Sequence, residues 1–480
     1  MNAINTLSIG LIVTLAGSVF AAPDHTQHGQ VVNNQNLEKI HGCWGDVEGN
    51  LEGGVFFLPM DPDAREIMEA VDQANRGFID NRVDFVVVGD GYTAAEQGLF
   101  HTNANTIENS FFQYEPFKSY ESYFRFTQVE VVSAESGVDN DPTQGINRNT
   151  ALDMSYWCGG TERLLCVSVS KAYTHAAAAP DIDQVIAIAN SSKYGGAGYS
   201  SSNLGTAAGR NGSAAQIAIH EMGHSLGDLA DEYTYGGPTT YTGGELSAVD
   251  VSIYNRSEQL NQETKWHNWM DASTPGFDNP IDTYEGGSYS QFGVFRPSNN
   301  SMMRALGRPF NLVSAERLLR QIYLEVSPID DGTPDNSTVS QNDIVWVTPM
   351  QPLSHDLQVL WYLDDSLIVG AIQQDSLDLS TLALDSGTHT IRVEVTDPTP
   401  WVRDEMIRTN RMTDSRSFTV DACTPVADFN GDGALNFFDI SEFLNAFNAQ
   451  DPAADFNQSG SFNFFDISGY LSAFGAGDCS

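Results

Sequence analysis

The sequence predicts a mixed α/β (α+β) domain, then a small Ig-like β-sandwich, then a helical module of two loop–helix repeats. Three observations carry that reading. The β-branched run Val83–Val88 opens a stretch in which strand-like runs alternate with helical segments. Residues 341–420 alternate apolar and polar side chains with the period of a half-buried strand. The unit ADFNGDGALNFFDISEFLNAF, starting at Ala427, returns as ADFNQSGSFNFFDISGYLSAF at Ala454, with 14 of 21 positions identical.

The chain has 480 residues, enough for about three domains. Hydrophobic residues make up 41% and aromatic residues 10%, so real cores can form. Asp and Glu number 63 against 23 Lys and Arg, a net charge of −40. Such a surface repels phosphate backbones and anionic lipid, which excludes non-specific nucleic-acid binding and docking on acidic membranes. It suits solubility in a salty medium and calcium sites.

From the N-terminus, the apolar run Leu7–Phe20 ends in small residues, with a cut after Ala21 or Ala22. This is signal-peptide layout, although the n-region has no Lys or Arg. The run is shorter than a spanning helix needs, so the mature chain is expected to be secreted with no membrane span. Export permits disulfides. Cys158 and Cys166 are spaced to close a hairpin, Cys423 and Cys479 to staple the last module, and Cys43 is left over.

Residues 22–80 read as an N-terminal region or pro-segment, 81–327 as the α/β domain, 328–420 as the sandwich and 421–480 as the repeat module. Within the second of these, Val83–Val88, Phe124–Val132, Leu164–Val169 and Val185–Ala189 read as strands, and Ser191–Ser202 as a Gly/Ser/Tyr-rich loop. Thr93 with Glu96, and Ser213 with Gln216, are capping boxes opening helices, the second of which stops near Gly227. Pro328–Ser340 reads as a linker. In Thr388–Val395, His389, Ile391, Val393 and Val395 share one face.

The second of those helices carries His220-Glu221-Met222-Gly223-His224. Two His at i and i+4 share a helical face, so both rings reach one ion, and zinc suits such a set. Glu221 sits beside the first ligand, placed to take a proton from a zinc-bound water that then attacks a peptide carbonyl. Asp231 and Glu232 follow where a third ligand is sought.

The extended run HEMGHSLGDLADEY resembles the family of bacterial immunoglobulin A metallopeptidases, secreted zinc endopeptidases of the metzincin type. Val88–Thr93 looks like the family's first strand and turn. Asn190–Gly196 looks like the segment before the active helix, and Phe295-Arg296-Pro297 with Ser301-Met302-Met303-Arg304 like its Met-containing turn. The resemblance spans roughly Val83 to Glu325 and implies a metzincin-like zinc peptidase domain acting on protein or peptide substrates. It implies Glu221 as catalytic base and His220 and His224 as zinc ligands. Ala230 stands where metzincins place a third His, so Asp231 is the first choice for that ligand and Glu232 the second. A gluzincin-type geometry would instead draft Glu245, although Gly236-Gly237-Pro238 and Gly243-Gly244 break any helix around it. The turn Met is expected to pack beneath the site. Tyr233 and Tyr289 are candidate oxyanion donors, more simply read as packing residues, and Cys43 is a candidate thiolate cap in a latent form.

The repeats have the spacing of calcium loops. In the first, Asp428, Asn430, Asp432, Asn436 and Asp439 offer side chains and Ala434 a backbone carbonyl, with Gly433 at the sharp turn. The second offers Asp455, Asn457, Ser459, Ser461, Asn463 and Asp466, and is weaker because Ser459 removes a carboxylate. The pair resembles a dockerin module, which implies Ca2+ beside Zn2+ and a cohesin-like or cell-surface partner. The competing function is a non-catalytic extracellular scaffold anchored through this module.

Overall fold

The computed structural model describes residues 37–45, 51–75, 81–234, 239–273, 279–422, 425–432 and 435–476. The expected signal segment, Cys423, Cys479, Gly433, Ala434 and the side chain of Cys43 lie outside the described residues. No described helix is long and apolar enough to cross a membrane. The chain divides into two units, one of residues 1–78, 84–115 and 126–317, the other of residues 79–83, 116–125 and 318–480.

The first unit is mixed α/β. Its elements begin β1 (Leu37–Gly45), β2 (Leu51–Pro59), α1 (Ala64–Asn75), β3 (Val83–Asp90), α2 (Gln97–Phe111) and β4 (Phe124–Val129). They continue α3 (Val169–Ala176), β5 (Gln184–Ala189), β6 (Gly196–Tyr199), β7 (Leu204–Ala208), α4 (Ala214–Ser225), α5 (Arg256–Gln262), β8 (Tyr284–Gly287) and β9 (Ser290–Arg296). α6 (Leu312–Glu325) follows, its first residues in this unit and the rest in the second. The main sheet has the order β2-β1-β6-β7-β5-β3-β4. β3, β5 and β7 run parallel, whereas β6 and β1 are antiparallel to their neighbours.

The continuous apolar runs of β3 and β5 are buried along their whole length, as covered parallel strands require. At the end of β3, Asp90 accepts hydrogen bonds from Leu152 N, Met154 N and Ser133 Oγ, tying down the loop behind the sheet. The Thr93–Glu96 capping box forms, and Cys158 is bonded to Cys166.

Several expectations need correction. Ser191–Ser202 is not all loop, since it contains β6. Its glycines are packing devices: a Cβ on Gly196 would stand 2.4 Å from Ile217 Cγ2 of α4, and one on Gly205 in β7 2.6 Å from Met222 Cε. The helix lies so close to the sheet that only glycine fits beneath it. Leu164–Val169 makes only isolated bridges, at Leu164 and Cys166, before α3 begins. Ser213 precedes α4 but makes no side-chain cap, because its ψ of 4° is not the extended conformation that aims Oγ back at the helix. The turn after α4 is made by Asp228, left-handed at φ 50°, rather than by Gly227.

The second unit holds β10 (Ile329–Gly332), β11 (Ser337–Val339), β12 (Ile344–Pro349), β13 (Gln358–Leu363) and β14 (Ser366–Leu367). β15 (Ser376–Asp378), β16 (Gly387–Thr396), α7 (Glu405–Arg411) and β17 (Thr413–Ala422) come next, then α8 (Phe437–Ala449) and α9 (Phe464–Ala476). The expected linker therefore carries β10 and β11. Two sheets result, β10-β12-β15 and β11-β17-β16-β13-β14. Ile391, Val393 and Val395 are buried on one face of β16, while His389 stays partly exposed and pairs with Asp364 at 2.8 Å. Buried Asp397 collects hydrogen bonds from Tyr120, Tyr323 and His355. Phe443 of α8 and Tyr470 of α9 stack with ring centroids 3.9 Å apart, the centre of the repeat core.

Candidate metal centre

α4 is buried on every face, because both sheet and loops cover it. His220 and His224 lie one turn apart, with their Nε2 atoms 3.2 Å from each other. After the Asp228 turn the chain doubles back and delivers Asp231, whose Oδ1 is 3.2 Å from His220 Nε2 and 3.3 Å from His224 Nε2. All three side chains are fully buried.

A backbone carbonyl holds each ring from behind. His220 Nδ1 is 3.0 Å from Met302 O and His224 Nδ1 is 2.7 Å from Leu229 O. A carbonyl only accepts, so Nδ1 must be the donor in both rings. In the neutral tautomer that leaves a lone pair on each Nε2, aimed at the same point as Asp231 Oδ1. Zinc bonds of about 2.0–2.1 Å in a tetrahedron place donor atoms about 3.3–3.4 Å apart. The three observed separations match, so the donor set fits a zinc ion by type, spacing and second-layer support.

Electrostatics agree. Burial alone would neutralise Asp231, but His224, His220 and His41 beside it hold its carboxyl well below the usual range, so it stays an anion. Burial opposes charge on His220, yet the Asp231 carboxylate raises its pKa, so without an ion its Nε2 tends to hold a proton that a bound metal would displace.

The other oxygen of Asp231 accepts a short hydrogen bond from the Tyr289 hydroxyl. Tyr289 and Ser288 both have positive φ, 63° and 43°, the backbone of a tight hairpin turn between β8 and β9. A bulky residue rarely adopts that conformation, and here it points the phenol at Asp231. Tyr233 packs edge-on against the same ring, with centroids 5.5 Å apart. Tyr289 is thus a positioning residue for Asp231. Tyr289→Phe is expected to leave the fold intact and weaken metal binding about 10–100-fold, read by competition with a chelator.

Glu232 faces elsewhere. Its oxygens accept from Ser301 Oγ and Asn311 Nδ2, both at 2.7 Å, and its amide donates to Met303 O at 2.8 Å. Burial pushes its pKa up to about 7. It anchors the Ser301–Arg304 turn that presents Met302 O to His220. Met303 lies under α4, where a Cβ on Gly223 would meet its sulfur at 2.5 Å. Neither Met supplies a donor to the His pair. Glu245 is occupied by Lys265 Nζ at 2.9 Å and Ile253 N at 3.0 Å. Ala230, at the departed His position, donates its amide to Asp250 at 2.9 Å.

Glu221 is fully buried beside the His pair. A Cβ on Gly198 of β6 would stand 2.9 Å from its Oε2 and 3.3 Å from His224 Cβ. The missing side chain at 198 makes the space in which this carboxylate sits.

Residues 67–280 match the family model described as IgA Peptidase M64. Over this segment the chain is similar to that family. No curated protein matches the chain. The M64 segment contains His220, Glu221, His224 and Asp231, while Met302 and Met303 lie beyond its matched end.

One residue at the centre was missed. His41 of β1, ahead of the M64 match, stacks on His224 with ring centroids 4.0 Å apart, its Nδ1 3.6 Å from Asp231 Oδ2. A single His in a polar N-terminal stretch carries no spacing signal, so nothing in the sequence marked it.

In the repeat module, carboxylate oxygens of Asp428, Asp432 and Asp439 come within 4.8 Å of one another. Asp439 is buried, and its carboxylate binds the amides of Phe429 and Asn436 at 3.1 and 2.8 Å. In the second loop Asp466 binds the amides of Asn457 and Asn463 at 3.2 and 2.8 Å, and Asp455 those of Ser459 and Gly460 at 2.9 and 2.7 Å. Asn457 accepts from Ser459 N at 3.0 Å, and Asn430 from Asp432 N at 2.8 Å. Asn436 and Asn463 use their Oδ1 on the amides of Phe438 and Phe465, at 2.7 and 2.9 Å, which opens α8 and α9. Ser461 O accepts from Asn463 Nδ2 at 3.0 Å. Ala434 lies outside the described residues.

Proposed function

We propose that the M64 segment is a secreted zinc-dependent endopeptidase that hydrolyses extracellular proteins. The observation that carries this is the convergence of three buried lone-pair donors at tetrahedral spacing, with a buried carboxylate beside them. The family match favours this over a non-catalytic scaffold.

His220, His224 and Asp231 would hold the ion, each fixed from behind by Met302 O, Leu229 O or Tyr289. A zinc ion supplies Lewis-acid chemistry, polarising a peptide carbonyl and making water acidic enough to deprotonate near neutral pH. Glu221 takes that proton at its carboxylate and returns it to the departing amine nitrogen. Gly196 and Gly198 keep the face of β6 flat next to Glu221, and the buried walls keep bulk water from competing for the base. Purified full-length chain is expected to carry zinc, and its hydrolysis of casein to stop on chelation and resume on zinc addition. Protein that binds no zinc, or cleavage indifferent to the chelator, would overturn this reading.

For the C-terminal module the reading is two calcium loops that dock a cohesin-like or cell-surface partner. The carboxylate grouping and the twofold repeat of the same loop support it. Calcium removal is expected to make residues 425–476 far more sensitive to limited proteolysis, while the M64 segment keeps its resistance. Equal resistance with and without calcium would remove the calcium assignment.

A further inference from the structure

β1 pairs with β2 along its whole length, but it joins the main sheet only through β6, at Ile40↔Tyr199 and His41↔Gly198. Gly198 is the residue whose missing side chain makes room for Glu221. An extended strand of the chain's own N-terminal region therefore lies antiparallel along β6, with His41 set against His224 and Asp231. An incoming peptide adding to β6 by strand pairing would need the same place.

The side chain facing the centre is His41. It is 4% exposed, and among the described residues neither of its ring nitrogens has a partner at hydrogen-bond distance, Asp231 Oδ2 standing 3.6 Å from Nδ1. A buried imidazole with both nitrogens unsatisfied is costly unless something else is bound there. A ligating atom of His41 lies within 4.8 Å of those of His224 and Asp231. Neighbouring contacts hold the strand in register: the Glu38 carboxylate accepts from Ser201 Oγ at 2.6 Å and Ser202 Oγ at 3.0 Å.

We infer that His41 is a fourth protein donor to the metal, so that the β1–β2 hairpin closes the site and must leave before substrate is cleaved. This rests on the zinc reading of the centre. Closed sites with four protein donors are structural, and catalytic ones keep a position open. Here one chain would pass from the first state to the second each time β1 lifts from β6, so the wild-type chain turns over only through that opening and the His41 variants turn over faster.

The test uses the full chain loaded with cobalt(II), whose visible spectrum reports coordination, and azide as a small exogenous ligand. The wild-type spectrum is expected to ignore azide. His41→Ala and the more conservative His41→Asn are expected to change the spectrum, make it respond to azide, and release zinc to a chelator about 10–100-fold more readily. A wild-type spectrum that shifts with azide as fully as the variants would overturn the inference, and this arm needs no variant to fold. So would unchanged spectra and zinc release on losing His41. His224→Ala separates the two claims. If it abolishes metal binding while the His41 variants behave as wild type, the fourth donor fails and the zinc centre stands. If wild type binds no metal, both fail.

Discussion

Asp231→Ala is expected to strip the chain of its metal. The substitution removes one of three donors at tetrahedral spacing and the only anion among them. Loss of an outer support already costs about 10–100-fold in affinity, so loss of a first donor should exceed that. The Tyr289 hydroxyl loses its hydrogen bond to a charged acceptor, which adds a stability cost of about 1.5–3 kcal/mol. Zinc content after dialysis, beside a thermal melt, reads both effects. Glu232→Gln is the control, because Glu232 holds Ser301 and Asn311 rather than the ion. Metal retained in Asp231→Ala but lost in Glu232→Gln would exchange their roles.

Glu221→Gln is expected to keep the metal and lose turnover. The amide fills the same space against Gly198, so packing survives, but it cannot accept the proton. General-base catalysis contributes about 10²–10⁴-fold, and the fall should be of that order, in kcat more than in KM. A Glu221→Gln protein that cleaves at the wild-type rate would move the base elsewhere.

Much of this centre was legible because its chemistry is local in the chain. His220, Glu221 and His224 sit at helical spacing, and Asp231 follows within reach of one turn. The fold was legible where pattern and burial agree, as in β3 and β5. It was obscured where glycine serves packing: β6 reads as loop because Gly196 and Gly198 are there for the helix above them. Leu164–Val169 reads as strand from its β-branched residues, but tertiary pairing there is limited to single bridges. Tyr289 was singled out from the sequence, but its bond to Asp231 was not, and His41 was not marked at all, for a different reason. Each joins the site through a distant turn or strand, and its role depends on a register no single sequence displays.

The central claim is that a metal held by His220, His224 and Asp231 works with Glu221 to cleave peptide bonds. Because His41 stands over that centre, the direct measurement compares casein cleavage by zinc-loaded His41→Ala with the double variant His41→Ala/Glu221→Gln, at matched zinc content. Cleavage by the single variant, abolished in the double, is the predicted result. Equal cleavage by both, or none by a fully zinc-loaded His41→Ala protein, would contradict the account.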